Sequence, residues 1–472
     1  MNIVFFNPQG NFDPLDSHLT EHPDFGGQLV YVKEVCLALA QLGARVDIVT
    51  RLVDDPDWPE YSQPVEFYND APGNPRIVRL PCGGSKFLPK ESLWPHLGEF
   101  IENAVRFYAD DPPDFATAHY ADGGYCAVLF RRRMGIGFTF TGHSLGAQKL
   151  DKLGMSPENA AGMERRFHFS QRIAAERLAM TRAYRIITST SQERREQYGH
   201  ALYRGAVNVE DDARFAVIAP GVNTHIFHTD GGDQSGDDTL ERLQRTRSGG
   251  EPLPSIIVSS RLDEKKNIAG TVKAYANNPR LRRRSRLVVC IRGITDPFRE
   301  IESLAPPEQR VLRPILEVIK EAGIEDMVDY LDLRSQRALA DAYRYFAGQG
   351  SVFALTAYYE PFGLAPIEAA ACGLAVVATH NGGPTEIFAD GSGVLVDPED
   401  VDDIARGLNE CLDRQPELAR MARQRVLERY TWSRTATQYL ALARQGADMK
   451  VEKGMPVRPL DADHRIQTYL QG

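Results

Sequence analysis

Apolar residues in this chain fall into two alternating rhythms. Short, nearly continuous apolar or β-branched runs occur at 3–7, 45–50, 76–80, 115–118, 138–141, 186–189 and 215–219, and the stretches between them carry apolar residues at helical spacing. Continuous apolar runs predict strands buried on both faces, and their alternation with helices predicts a parallel sheet covered on both sides. A second series begins with Ser255-Ile256-Ile257-Val258-Ser259 and continues at 287–292, 328–331, 352–355, 375–379 and 394–397. Between the two, after Pro220-Gly221-Val222-Asn223, the stretch from Thr229 to Asp238 is polar and Gly-rich, the composition of an exposed linker. A length of 472 residues exceeds what one core usually supports. The expected fold class is α/β, with two parallel-sheet domains at residues 1–222 and 223–433.

Candidate chemistry concentrates where strands give way to helices. Tyr359-Glu360-Pro361-Phe362-Gly363-Leu364-Ala365-Pro366-Ile367-Glu368 follows the run at 352–355 and holds two glutamates, with a helix expected over Pro366 to Cys372. A helix N-terminus presents unpaired N–H groups and partial positive charge, so the backbone from Phe362 to Ala365 suits a diphosphate. Glu360 would then face a sugar and Glu368 a nucleoside. On spacing alone, a capping glutamate and a buried ion-paired one explain the pair equally well. The turn Ser260-Arg261-Leu262-Asp263-Glu264-Lys265-Lys266-Asn267 places Arg261 and Lys266 at the carboxyl end of another strand, where ligands bind in open parallel sheets. Near the start, Phe25-Gly26-Gly27-Gln28 opens an amphipathic helix ending near Gly43, and paired glycines there allow close backbone approach to a ligand.

Composition narrows the partners. The formal net charge of −9 offers no general attraction to nucleic acid or anionic membranes. Arg131-Arg132-Arg133 and Arg282-Arg283-Arg284 read as solvated faces. No apolar stretch is long enough to span a bilayer, and Met1-Asn2-Ile3-Val4 enters a strand without a signal-peptide pattern, so a cytoplasmic protein is expected. The six cysteines are widely spaced and expected as reduced, packed thiols. No His-Glu-x-x-His or comparable pattern occurs, and no metal site is expected.

Several competing motifs need weighing. Gly142-His143-Ser144-Leu145-Gly146 satisfies Gly-x-Ser-x-Gly after the strand 138–141, which would make Ser144 a hydrolase nucleophile. That reading leaves Arg261, Lys266, Glu360 and Glu368 without a role. A dinucleotide fingerprint and a phosphate loop are both missing from the sequence. A glycosidase would use paired carboxylates but needs no basic diphosphate cradle. A sugar-nucleotide sensor without catalysis is the remaining alternative of another class.

Four motifs occur together in order: Phe25-Gly26-Gly27-Gln28, Thr141-Gly142-His143-Ser144, Ser260-Arg261-Leu262-Asp263 with Lys266-Asn267, and Glu360 through Glu368. In that order and spacing the chain resembles retaining glycosyltransferases of family 4 and GT-B type, two Rossmann-like domains facing across a cleft. The resemblance is to the branch of sucrose synthases and sucrose-phosphate synthases, and it runs from about residue 1 to residue 440. Within the branch, Asn7-Pro8-Gln9-Gly10, Phe87-Leu88-Pro89-Lys90 and Ser144-Leu145-Gly146-Ala147-Gln148-Lys149 are most similar to bacterial sucrose-phosphate synthases.

The resemblance implies a hexosyltransferase using UDP-glucose, or alternatively ADP-glucose, with fructose 6-phosphate as acceptor. Catalytic roles fall to His143, Arg261, Lys266 and Glu360. Donor contacts fall to Gly27, Arg261, Lys266, Gly293, Leu333, Glu360, Phe362, Gly363, Leu364, Ala365 and Glu368, with main-chain groups near Gly293 and Leu333 meeting the base. Acceptor contacts fall to Gly26, Gln28, Lys90, Lys149 and Arg172, the three cations matching phosphate-binding positions. Each cation also has a plain structural account: Lys90 follows a proline, Lys149 begins a polar helix, and Arg172 can pair with Glu176 at helical spacing. The C-terminal segment 434–472 is expected to pack back on the first domain. No cofactor is required for this chemistry, Mg2+ acting at most as a stimulator, and a monomer is expected. Mannosylfructose-phosphate synthase and sucrose synthase are the alternatives within the branch.

Overall fold

The first sheet has eight strands in the order β3-β4-β2-β1-β5-β6-β7-β8: β1 (Asn2–Phe6), β2 (Arg45–Arg51), β3 (Val65–Phe67), β4 (Arg76–Leu80), β5 (Phe115–His119), β6 (Phe138–Thr141), β7 (Arg185–Thr188) and β8 (Phe215–Val217). The computed structural model describes residues 1–17, 27–68, 73–231, 253–449, 453–454 and 460–471, so Phe25, Gly26 and most of the polar 229–238 stretch lie outside the described residues. All pairs in the first sheet are parallel except β3–β4. β3 is three residues long and half-exposed at the sheet edge, too short to leave a run in the sequence pattern.

Continuous apolar runs arise because both faces of the sheet are covered. In β1, Ile3 and Phe5 enter one core while Val4 and Phe6 enter another, as the two-residue period of a strand requires. The Trp432–Ala447 helix belongs to the Ile3/Phe5 side, where Trp432, Ala436 and Tyr439 pack beside the Gly27–Gln41 helix.

The second sheet is all parallel, in the order β11-β10-β9-β12-β13-β14: β9 (Ser255–Ser259), β10 (Arg286–Cys290), β11 (Val328–Leu331), β12 (Val352–Leu355), β13 (Ala375–Thr379) and β14 (Val394–Val396). By contacts the chain divides into Met1–Ala219 with Trp432–Gly472, and Pro220–Thr431. The division falls at 219/220 rather than 222/223, and the return at Trp432 rather than residue 434. Val222 explains the difference: it bridges to Thr431 and its N–H bonds the Tyr430 carbonyl, which ties it into the second unit.

Among the described residues, no helix is long and apolar enough to cross a membrane. All six cysteines are buried free thiols.

One close approach seats the first site. The Tyr120–Met134 helix starts directly after β5, and a Cβ on Gly123 would lie 2.5 Å from the Phe6 carbonyl oxygen. A backbone atom in a central strand cannot yield as a side chain can. Gly123→Ala should therefore destabilise the protein by about 1–3 kcal/mol, read as a lower denaturation midpoint with an unchanged slope in urea.

Candidate active site

In the first unit, four of the expected acceptor residues meet in one cavity of about 270 Å³: Gln28, Lys90, Lys149 and Arg172. Gln28, Lys90 and Lys149 come from the segments that follow β1, β4 and β6, and Arg172 from the Phe169–Arg182 helix. Gln28 begins the helix after β1, and its amide donates to the Asn7 side chain at the end of β1. Lys149 lies on the Gly146–Lys152 helix after β6, with its ammonium 4.5 Å from the Phe167 ring centre. Burial, then Arg172 and Lys90, push the Lys149 ammonium pKa down. Burial is the larger cause and the two neighbouring cations add to it; an anion in the cavity would offset their repulsion.

Arg172 makes the helical pair with Glu176 and also lines the cavity. Its Nε lies 3.1 Å from Glu176 Oε1, and its guanidinium also donates to the Ser144 carbonyl while lining the cavity. Glu176 is fully buried and receives Tyr203 O–H and the Gly146 N–H besides. Burial pulls the Arg172 pKa down, but the Glu176 carboxylate more than offsets this and holds it above the ordinary value.

The same cavity is lined by residues that the motifs did not single out, among them Trp94, Tyr120 and Asp122. Tyr120 and Asp122 immediately follow β5, so the rule that ligands sit at carboxyl ends of strands, applied to β5, finds them. Asp122 is nearly buried, and burial raises its carboxyl pKa from 3.8 to about 6 despite hydrogen bonds from backbone N–H groups and the charge of Arg172.

His143 stands at the end of the β6 turn with φ +55°, and the Ser144 N–H donates back to the Gly142 carbonyl. This is a tight, strained turn for a non-glycine residue. Gly27 is exposed, and a Cβ there would meet nothing within 4 Å among the described residues, so neither packing nor a positive φ calls for glycine.

The second unit gathers a second set. Asn267, buried with φ +50°, donates to the carbonyls of Thr356 (3.0 Å) and Pro398 (2.7 Å) while its Oδ1 accepts the Gly270 N–H. This clamp fixes the Arg261–Lys266 turn beside the end of β12. Lys266 Nζ then donates to Glu360 Oε2 at 2.8 Å. The two motifs are thus joined by an ion pair, a link that neither motif reveals alone. Arg261 is exposed, with no side-chain partner among the described residues.

Glu360 is held from the other side by a loop absent from the motif reading. Its N–H donates to the Asn381 carbonyl (3.1 Å), its carbonyl accepts the Gly383 N–H (2.9 Å), and a Cβ on Gly382 would lie 2.0 Å from that carbonyl oxygen. The pair Gly382-Gly383 was the available signal.

Gly363, at φ +114°, caps the Leu364–Ala371 helix, which starts two residues before the expected Pro366. The N–H groups of Leu364 and Ala365 belong to its first turn, where no intrahelical acceptor exists, and the buried Phe362 precedes them. Glu368 lies a turn further on, half-buried, and its charge raises the pKa of the Tyr343 hydroxyl and the Cys372 thiol, both lifted chiefly by burial. Near the end of β10, the Gly293 N–H already donates to Asp332 Oδ1 at 2.8 Å. That N–H is therefore occupied, and Leu333, next to Asp332, is half-buried.

Residues 1–236 match the family described as sucrose synthase first GT-B domain, and residues 244–426 match glycosyl transferases group 1. A "Probable sucrose-phosphate synthase" of Thermosipho melanesiensis is 44% identical over 444 residues, covering 94% of this chain and 96% of that protein. The chain belongs to the sucrose-phosphate synthase family of GT-B glycosyltransferases. A sucrose-phosphate synthase of Zea mays is 31% identical over 99% of this chain, which spans only 49% of that longer protein. The solved structure of the sucrose-phosphate synthase from Thermosynechococcus elongatus has a TM-score of 0.67 at 26% identity, covering 94% of this chain and 98% of the other.

Membership of a hexosyltransferase family removes the serine hydrolase reading. The local structure agrees: Ser144 Oγ has no histidine within hydrogen-bonding distance among the described residues, and the adjacent His143 bonds His119 instead.

Asp122 yields a test. Its raised pKa means that stability from the protonated form is present below pH 3.8 and lost as pH rises through about 6. By linkage the ionised carboxyl costs up to about 3 kcal/mol at neutral pH. Asp122→Asn should accordingly gain stability over the parent as pH rises from 5 to 8, measured by thermal unfolding. A pH-independent difference would show that Asp122 titrates normally.

Proposed function

We propose that the protein transfers glucose from UDP-glucose to fructose 6-phosphate with retention of configuration, releasing UDP and sucrose 6-phosphate. The observation that carries this reading is the convergence of Lys90, Lys149 and Arg172 on one cavity that also holds Gln28. Free fructose needs no such cluster, whereas a phosphate monoester does, and charge-assisted bonds to Lys and Arg are its usual recognition.

The donor half rests on the second unit. Arg261 and Lys266, with the N–H groups of Leu364 and Ala365 at a helix N-terminus, would take up the negative charge of the leaving diphosphate. Glu360 would hold the 3- and 4-hydroxyls of the glucosyl group, and Glu368 the ribose hydroxyls. His143 would contact the 6-hydroxyl of the donor sugar. As the bond from the anomeric carbon to the diphosphate oxygen breaks, the acceptor hydroxyl attacks from the same face and its proton passes to the departing phosphate oxygen. No carboxylate nucleophile is assigned on the opposite face, so retention follows from this internal return. Because side-chain and backbone charge carries the leaving group, the reaction should need no metal, and Mg2+ should do no more than stimulate. We also take the chain to act as a cytoplasmic monomer, which light scattering on the purified protein checks for its oligomeric part.

The deciding experiment is a matrix of donors (UDP-glucose, ADP-glucose, GDP-mannose) against acceptors (fructose 6-phosphate, fructose), read by nucleotide release. Turnover only with UDP-glucose and fructose 6-phosphate supports the assignment. Preference for GDP-mannose would make it a mannosylfructose-phosphate synthase, and preference for free fructose a sucrose synthase. No turnover with any pair would favour a sensor.

Lys149→Ala should raise KM for fructose 6-phosphate roughly ten- to a hundredfold, the loss of one charge-assisted hydrogen bond, with KM for the donor nearly unchanged. Lys149 is the better probe than Arg172, whose guanidinium is also tied to Glu176. An unchanged KM for fructose 6-phosphate would refute the phosphate site.

A further inference from the structure

Beyond these contacts, the first unit contains a second histidine with no assigned role. His119 ends β5, is fully buried, and lies with Nδ1 2.8 Å from His143 Nε2. The two rings are nearly parallel, at 23°, with centres 5.1 Å apart. Phe5 stacks on His119 at 5.4 Å and 12°, and Tyr31 meets the His143 ring edge-to-face at 4.9 Å. Both rings are thus fixed on more than one side.

Two neutral imidazoles, here the buried His119 and the half-buried His143, can share one hydrogen bond only if one nitrogen carries the proton and the other does not. Burial pushes His143 down to about 3, and burial with the neighbouring His143 pushes His119 well below its ordinary value, so both rings are neutral at working pH. The shared bond connects further back into the sheet. Thr139 O–H donates to Thr117 Oγ1 at 2.9 Å, and Thr117 Oγ1 lies 3.5 Å from His119 Nε2, within reach for the Thr117 proton to turn to that nitrogen. With the proton turned that way, His119 Nε2 would be the acceptor and its Nδ1 would carry the hydrogen. His143 Nε2 would then accept it, and the His143 proton would reside on Nδ1, which has no protein partner among the described residues.

We propose that His119 is a positioning residue that, through its Nδ1–H, locks His143 in the Nδ1-protonated form and so offers the substrate a hydrogen-bond donor. The lock also accounts for how a non-glycine residue is kept at φ +55° in the β6 turn: the side chain is anchored where the backbone is strained. The opposite tautomer would present a lone pair at the same place, and a sugar hydroxyl would have to reverse its own bond to meet it. The functional part of this proposal rests on the reading of His143 as a donor-sugar contact.

Two measurements test it. Nitrogen-15 NMR on the full chain labelled at histidine, with His119→Asn and His143→Ala used for assignment, reports the tautomer without any substrate. The expected pattern for His143 is a neutral ring protonated at Nδ1; a ring protonated at Nε2 overturns the proposal. In kinetics, His119→Phe should lower kcat roughly tenfold, as loss of one oriented donor would, with KM for fructose 6-phosphate changed less than twofold. His119→Asn, whose amide nitrogen occupies nearly the place of Nδ1, should restore kcat to within about threefold of the parent, a rescue that a merely space-filling role would not give to the smaller residue. If His143→Ala is damaging while His119→Phe is not, the proposal falls. If His143→Ala is itself without effect while the spectrum shows the Nδ1-protonated ring, the sugar-contact reading fails and the tautomer lock stands.

Discussion

Strand polarity is the constraint on which the candidate site depends. In a parallel sheet every strand ends on the same edge, so the turns that follow β1, β5 and β6 in the first unit, and β9 and β12 in the second, gather on one edge of each sheet whatever their separation in sequence. While Lys90 follows β4 and Arg172 sits on the Phe169–Arg182 helix, several of the chemistry-bearing residues lie in or next to those turns. Helices starting there add unpaired N–H groups, so both parts of an anion site, side-chain cation and backbone dipole, come from the same geometric fact.

Given that constraint, the positions of glycine and asparagine in the turns acquire a physical reason. Gly363 and Asn267 occupy left-handed backbone, the first to turn the chain into a helix and the second to aim its side chain at two carbonyls. Gly382 and Gly383 let a second loop lie against Glu360 and Phe362 with no side chain between. Glu360 is therefore positioned through backbone bonds on both sides, and its carboxylate is left to Lys266.

Much of the fold was legible because it rests on local pattern. The buried strands matched their apolar runs to within a residue or two, since a strand covered on both faces has no choice of composition. β3 was not legible, because three half-exposed residues at an edge carry no periodic signal. In the site, motif residues were legible where several chemistries coincide in one short stretch, as with Glu360 to Glu368. Trp94 was not, because its involvement comes from tertiary proximity, while Tyr120 and Asp122 carry no motif and follow only from applying the strand-end rule to β5. The Lys266–Glu360 pair and the occupied Gly293 N–H escaped for the same reason: a hydrogen bond between residues tens of positions apart has no trace in either one's neighbourhood.

The ion pair changes how the two donor-side cations must be weighed. A lysine already 2.8 Å from a carboxylate presents nearly no net charge at a distance, so before a donor arrives the second unit's long-range attraction for an anion comes mainly from Arg261 and from the helix N-terminus. Exposure makes Arg261 a screened charge in water, but a bound diphosphate would displace that water and strengthen the interaction where it is needed. Lys266 can act differently. In the proposed reaction, negative charge would grow on the phosphate oxygen as the glycosyl bond lengthens and the glucosyl group would become positive, which would weaken the hold of Glu360 on Lys266 and favour a shift of both partners toward the reacting atoms. In that arrangement a paired lysine and glutamate would serve both charges of the transition state at once while costing little in the resting protein, a use of the pair that neither residue would fill if the other were replaced by a neutral side chain.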